Sequence, residues 1–111
     1  FKLGLNESQI GMTMHHAGIE FARARLTPAF FNRSVFNAEM YSPADAVKAG
    51  FLDKIVAAQE LLNEAMAEAT RLSGLNMTAF SQTKLKSRRA LLATLDQAIE
   101  QDYKDEMAKL A

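Results

Sequence analysis

The segment from Ser42 to Gly50 constrains the fold more than any other part of the chain. Ser42 precedes Pro43, and Asp45 follows within the first turn of a predicted helix. A serine hydroxyl can accept a hydrogen bond from a first-turn amide, and a proline at the first helical position has no amide to leave unpaired. The helix dipole favours a carboxylate at that end, and Gly50 permits the left-handed conformation that commonly ends a helix. The segment therefore predicts a short helix with a defined start and stop.

Helical periodicity dominates the remainder of the chain. The apolar stripes predict further helices over residues 15–26, 28–40, 59–73 and 77–110. Thr27 followed by Pro28 predicts the start of the second of these helices, and Gly74 predicts the end of the third. The last stretch is too long for one ordinary helix, and Thr94-Leu95-Asp96-Gln97 matches a capping box. We therefore expect a break near Thr94.

Two short segments have the character of β-strands. The segment Phe1–Leu5 alternates, and the segment Phe51–Val56 follows directly after the predicted stop at Gly50. Two strands so far apart in the chain cannot form a stable sheet alone. We therefore expect a mostly α fold with short β segments, in which the strands are pieces of a larger sheet.

The charge balance and the lack of cysteine exclude several classes of function. The chain has 13 Lys and Arg against 13 Asp and Glu, whereas a nucleic-acid-binding protein usually carries a basic excess or patch. No apolar run reaches the roughly 20 residues needed to span a bilayer. The absence of cysteine rules out disulfides, thiolate metal sites and cysteine nucleophiles. The chain starts at Phe1 and not at Met, so we expect part of a longer protein. It shows no signal-peptide pattern, so we expect a cytoplasmic location.

Glu7 is the first candidate for chemistry. It lies in a predicted loop, where a carboxylate can act as a general acid or base if apolar neighbours exclude water. The apolar residues near it in sequence, which we expect to form such a pocket, are Phe1, Leu3, Leu5, Ile10 and Met12. Most loop glutamates are simply solvated, so the residue pattern alone leaves both interpretations open.

A second candidate is the pair formed by His16 and Glu20. These residues are four apart on one helical face and could supply two ligands of a metal site, whereas His15 points about 100° away from His16. The sequence offers no third ligand at helical spacing. An exposed pair near a helix start is the simpler interpretation, and we expect no metal.

The remaining candidates are a basic cluster and a set of methionines. The cluster, Lys84 to Arg89, could hold a phosphate, or it could be a solvated helix face paired with acids. The methionines are most simply filler of the hydrophobic core, and they are Met12, Met14, Met40 and Met66.

Two motifs resemble the crotonase superfamily, the enoyl-CoA hydratases and isomerases. The first is Asn6-Glu7-Ser8-Gln9-Ile10-Gly11, and the second, more specific one runs from Ser42-Pro43-Ala44-Asp45 through Gly50 to Val56. The resemblance implies the C-terminal half of the α/β crotonase fold (the ClpP/crotonase-like fold). On this basis residues 1–56 are the end of the crotonase core, and residues 57–111 are a helical oligomerisation region.

The resemblance also implies an activity. Members of the superfamily bind acyl-CoA thioesters and stabilise an enolate with two backbone N–H groups, an oxyanion hole. Glu7 takes the place of a family glutamate that donates or accepts a proton at the substrate α-carbon. Coenzyme A is part of the substrate, so no separate cofactor is implied. The expected assembly is a homotrimer or hexamer, and the chain alone, lacking the oxyanion donors, is expected to be inactive.

Two departures from the family pattern bear on the reaction. Asn6 replaces the usual proline, and Met14-His15-His16-Ala17-Gly18 stands where many members have Pro-Gly-x-Gly-Gly. These bulkier residues would reshape the wall of the acyl pocket. Hydration of 2-enoyl-CoA is the expected reaction, with isomerisation or another crotonase-type reaction as the alternative. A helical interaction module without chemistry is a further alternative, although it would not need Glu7 beside a strand.

Overall fold

The computed structural model describes all 111 residues, Phe1 to Ala111. Six α-helices account for most of the chain, so the mostly α class with short β segments is confirmed. The helices are α1 (His16–Arg25), α2 (Pro28–Val35), α3 (Pro43–Ala49), α4 (Leu61–Ser73), α5 (Met77–Ser87) and α6 (Arg89–Ala108). The two strands are β1 (Leu3–Gly4) and β2 (Met40–Tyr41), and short 3-10 turns cover Ser8–Ile10 and Ala58–Glu60.

The two strands form one small antiparallel sheet. Leu3 lies opposite Tyr41, and Gly4 lies opposite Met40. A Cβ atom on Gly4 would lie 2.6 Å from the Met40 sulfur and 2.7 Å from the Glu39 carbonyl oxygen. A glycine is therefore what lets β1 approach β2 this closely.

The predicted strand at Phe51–Val56 is wrong. The chain there is irregular, because the end of α3 extends its hydrogen bonding beyond Gly50: the Phe51 amide donates to the Ala46 carbonyl at 2.9 Å. Phe51 then packs against both core clusters. The apolar side chain of Phe51 therefore serves the packing of the core and is not part of a sheet.

The start and stop predicted for α3 are confirmed. The Ser42 hydroxyl accepts a hydrogen bond from the Asp45 amide at 3.2 Å, and Gly50 is left-handed with φ of 103°. The Thr27 amide donates to the Ala49 carbonyl at 3.0 Å, which ties the end of α3 to the junction between α1 and α2. The Thr27 side chain makes no capping bond, although Pro28 does begin α2.

Two other helix boundaries differ from the prediction. α2 ends at Val35 and not near Met40, because the chain reverses through Ala38, whose φ is 56°. The break in the last helical stretch falls at Arg88, whose φ is −103° and ψ is 5°, while Thr94 lies inside α6. The capping-box pattern at Thr94 is therefore not used as a cap, because α6 has already started at Arg89.

The hydrophobic core is small and lies between α1, α2, α3 and the sheet. One cluster contains Ala22, Leu26 and Val35, and the other contains Tyr41, Ala46 and Ala49. The only buried polar residue is Ser34, which is hydrogen bonded to the Tyr41 hydroxyl at 2.9 Å. The core-filler prediction is wrong for three of the four methionines, because Met12, Met40 and Met66 are exposed.

The C-terminal helices extend away from this core. The radius of gyration is 17.2 Å, against about 13 Å for a compact domain of this length. No residue of α4 or α5 is buried, whereas α6 folds back and packs against α1. No helix is both long and apolar enough to cross a bilayer.

Candidate active site

A groove of about 860 Å³ runs between α1 and α6, with its floor formed by the residues before α1 and after α3. Ten of its 15 lining residues are hydrophobic, which suits an apolar ligand. The apolar side chains of this lining include Leu5, Met14, Phe21, Leu26, Leu91 and Leu95. Glu7 is the single acidic residue of the lining.

A tight turn holds the backbone of Glu7 beside this groove. The Glu7 carbonyl accepts hydrogen bonds from the Ile10 amide at 3.1 Å and the Met12 amide at 2.8 Å. Gly11 is left-handed, with φ of 79°, and this conformation closes the turn. Glu7 is thus fixed by local hydrogen bonds and does not sit on a free loop.

One oxygen of the Glu7 carboxyl group is buried without a partner. This atom, Oε2, has no hydrogen-bond partner within the chain, which is uncommon for a buried polar atom and calls for an explanation. A carboxyl oxygen in this position can donate or accept a proton at a substrate atom in the groove. The role of Glu7 stays a prediction, and its position at an apolar groove is what such a role requires.

The walls around Glu7 are not those expected from its sequence neighbours. Leu5 does line the groove, but Phe1, Ile10 and Met12 are exposed, so this part of the pocket prediction is wrong. The walls come instead from the facing sides of α1 and α6. These two helices are far apart in the chain. The apolar periodicity of one helix does not indicate that it faces the other.

The departures from the crotonase pattern lie at the same groove. Met14, His15 and Gly18 all line it. A Cβ atom on Gly18 would lie 2.9 Å from the Met14 sulfur, so Gly18 makes room for that side chain. The segment that differs from most family members therefore forms part of the wall near Glu7.

The two histidines pair with acids of α6. His16 Nε2 lies 3.2 Å from an Asp105 carboxylate oxygen, and His15 Nε2 lies 3.7 Å from a Glu106 carboxylate oxygen. Glu20 pairs with Arg23 of its own helix at 3.4 Å. The ligand pair proposed from sequence, His16 with Glu20, therefore has other partners.

A different trio brings possible metal ligands together. One ligand atom from each of His16, Asp102 and Asp105 lies within 4.8 Å of the others. Both Asp102 oxygens already accept amide hydrogen bonds, from His16 at 2.7 Å and from Ala17 at 2.9 Å. These bonds lower the pKa of the Asp102 carboxyl, with the Ala17 amide the largest cause. Helix capping and ion pairing account for the trio.

One residue of the basic cluster reaches the groove. Arg88 lines it and also shares a second surface with Lys84, whose Nζ lies 5.8 Å from the centre of the Phe80 ring. Lys84 and Lys86 sit in the last turn of α5, where the helix dipole favours a positive charge. Arg88 is thus the member of the cluster that could meet a charged group of a ligand in the groove.

Comparisons with known proteins identify the fold and the family. The chain matches the family model described as enoyl-CoA hydratase/isomerase over residues 2–108. A solved enoyl-CoA hydratase/isomerase family protein from Pseudomonas syringae is 60% identical, with a TM-score of 0.91 over 94% of this chain and 45% of that chain. An enoyl-CoA hydratase from Mycobacterium ulcerans is 31% identical, with a TM-score of 0.88 and coverage of 94% and 46%. An enoyl-CoA isomerase from Mycobacterium tuberculosis is 30% identical, with a TM-score of 0.89 and the same coverage of 94% and 46%.

The architecture is therefore that of the crotonase superfamily. Within it, the chain belongs to the enoyl-CoA hydratase/isomerase family, and the resemblance seen at residues 6–11 and 42–56 is confirmed. The chain spans about half the length of the solved relatives it matches. No curated protein matches it.

Proposed function

We propose that this chain contributes to a protein that acts on acyl-CoA thioesters, with Glu7 moving a proton at the substrate α-carbon. The observation that carries the proposal is the buried, unpartnered Oε2 of Glu7 at an apolar groove. An acyl chain fits such a groove because it is apolar and a few ångströms wide. Membership of the enoyl-CoA hydratase/isomerase family supports the same substrate class.

The proposed reaction is the hydration of 2-enoyl-CoA. Water adds across the C2–C3 double bond, so that C3 gains the hydroxyl and C2, the α-carbon, gains a proton. Glu7 donates that proton to C2, or removes it in the reverse direction. The negative charge that develops on the thioester oxygen needs oxyanion donors, which the crotonase resemblance assigns to a part of the family outside this match. The 111 residues alone are therefore proposed to be inactive.

Isomerisation of an enoyl-CoA is the second candidate. It stays open because a similar protein from Mycobacterium tuberculosis is described in one structure as an enoyl-CoA isomerase and in another as a probable enoyl-CoA hydratase. An isomerase moves one proton from one carbon to another and leaves water out of the product. A carboxyl group that can both accept and donate a proton, as proposed for Glu7, suits this reaction as well.

The proposal extends to partners and location. Exposed apolar side chains on α4 and α5 support a homo-oligomer, and a trimer or hexamer is proposed by resemblance. Coenzyme A enters as part of the substrate, so no separate cofactor is proposed. The cytoplasm is the proposed location.

Substitution of Glu7 in the full-length protein tests the proposal. Glu7→Gln keeps the shape of the side chain and removes its ability to exchange a proton, so turnover should fall at least about 10²-fold, the usual scale for a lost general acid or base. Steady-state kinetics on crotonyl-CoA and on a 3-enoyl-CoA would separate hydration from isomerisation. Binding of acyl-CoA should change much less than turnover.

Glu60 provides a matched control, because it is exposed and does not line the groove. Glu60→Gln should leave both rates unchanged. If Glu7→Gln turned over both substrates at nearly the parental rate, Glu7 would not be the proton donor or acceptor, and the proposed role would be wrong.

A further inference from the structure

Asp102 connects the last third of α6 to the first turn of α1. Its two carboxylate oxygens accept hydrogen bonds from the His16 amide at 2.7 Å and the Ala17 amide at 2.9 Å. The bonded residues are 86 and 85 positions apart in sequence. The N-terminal cap of α1 is therefore supplied by another helix, since His15 makes no side-chain capping bond.

This contact is favourable for two physical reasons. The first amides of a helix have no partner within the helix, and the helix dipole places positive potential at that end. A carboxylate that satisfies two of these amides forms charge-assisted hydrogen bonds, which are stronger than those between neutral groups. The lowered pKa of Asp102 agrees with this preference for its charged form.

Two contacts between histidines and carboxylates lie beside this cap, one turn further along α6. Asp105 faces His16, and Glu106 faces His15, while Lys109 of α6 pairs with Glu106 at 2.8 Å. Each of these pairs is exposed, so each adds little by itself. Together they place acids of α6 against the positive end of α1.

Asp102 is not the only contact of α6, because the helix also packs along α1. Leu95 and Ala98 are its buried residues. The same helix provides the groove wall that faces α1, through Leu91, Leu92 and Leu95. The position of α6 relative to α1 therefore sets the width of the groove beside Glu7.

We propose that Asp102 is a positioning residue, which holds α6 in place as the outer wall of the groove that contains Glu7. It does not line the groove, so it acts through α6 and not on the substrate. Loss of the contact lets α6 swing away from α1, which widens the groove and weakens its grip on an apolar chain. The consequence for the reaction rests on the proposed function, whereas the consequence for α6 does not.

The test compares three variants of the full-length protein. Asp102→Asn keeps the shape but loses the charge and replaces one acceptor oxygen by an NH₂ group that faces an amide. Asp102→Glu keeps the charge and both acceptors. Asp96→Asn, at an exposed position of the same helix with no ion pair, is the matched control. Amide hydrogen exchange of residues 16–17 and 91–98 is measured first, and steady-state kinetics on an enoyl-CoA second.

Asp102→Asn should speed exchange of both segments at least about tenfold, as expected when a local opening becomes easier. It should raise KM several-fold while kcat changes less than twofold, the pattern of lost substrate binding. Asp102→Glu should recover most of the parental behaviour, and Asp96→Asn should match the parent throughout.

Unchanged exchange of residues 91–98 in Asp102→Asn would overturn the proposal. So would faster exchange with parental KM in an active enzyme, because the contact would then be structural only. If the unmutated full-length protein shows no turnover of enoyl-CoA, the proposed function is wrong. The hydrogen exchange of residues 91–98 would then be the single test of whether Asp102 holds α6 in place.

Discussion

At the scale of the residue, Gly50 occupies a position where two separate constraints exclude a side chain. Its φ of 103° lies in a region that other residues rarely adopt, and an added Cβ would lie 2.9 Å from the Arg25 carbonyl oxygen. Gly11 is also left-handed, with φ of 79°, but an added Cβ there would meet nothing within 4 Å. Substituting Gly11 therefore incurs only the cost of the left-handed backbone conformation, whereas substituting Gly50 also incurs the cost of a steric clash.

We expect Gly50→Ala to destabilise the protein clearly more than Gly11→Ala. The left-handed conformation alone costs roughly 1–2 kcal/mol for a residue with a side chain, and Gly50→Ala adds the displacement of the α1–α2 junction to that. Chemical denaturation of both variants would measure the difference. Equal losses of stability would mean that the junction moves aside without cost.

Residues differ in how far the sequence can predict their surroundings. The turn that holds Glu7 is local, so the motif at residues 6–11 predicted a loop carboxylate correctly. The α6 leucines beside Glu7 and the cap provided by Asp102 could not be predicted. Their partners lie many residues away, and nothing in the period of α6 indicates which surface it covers.

At the scale of the element, α3 has a start that its own sequence defines. The Ser42 hydroxyl satisfies the Asp45 amide, and Asp45 carries its charge in the first turn, where its pKa is lowered chiefly by the Lys48 ammonium. We expect Ser42→Ala to cost about 0.5–2 kcal/mol, because one amide loses its acceptor. Thermal unfolding would measure the loss.

Thr94 provides the matched control for Ser42. It has the sequence pattern of a cap but lies inside α6 and is exposed. Thr94→Ala should be neutral or slightly stabilising, because alanine is the better helix former. If the two substitutions shifted the unfolding temperature equally, the capping role of Ser42 would have no support.

Elements that carry their own end signals were predicted well, and those that depend on distant contacts were not. Pro28 and Pro43 mark the starts of α2 and α3, and Gly50 marks a stop that the structure reproduces. The strand at Met40–Tyr41 is only two residues long, so it shows no alternating pattern. The bend at Arg88 contains no glycine or proline, so the sequence gives no signal from which it could be predicted.

At the scale of the whole molecule, the chain exposes more apolar surface than a self-sufficient domain would. Nine of its 111 residues are buried, and large apolar side chains stand exposed along α4 and α5. The exposed residues of these two helices include Leu61, Leu62, Met66, Met77, Phe80 and Leu85. Such surfaces on a soluble fold usually mark places where other protein surfaces pack.

We expect the face of α4 that carries Leu62 and Met66 to contribute to association of the full-length protein. Leu62 and Met66 are 73% and 58% exposed, and they lie one helical turn apart. Burial of a charge against a partner's apolar surface is costly, so Leu62→Glu should shift the protein toward smaller species. Ala67→Glu adds the same charge about 140° around α4 from Leu62 and about 100° from Met66, and it should leave the assembly unchanged. Light scattering at micromolar concentration would compare the two variants with the parent. A parental protein that is monomeric, or an assembly that Leu62→Glu leaves intact, would show that this face is not an interface.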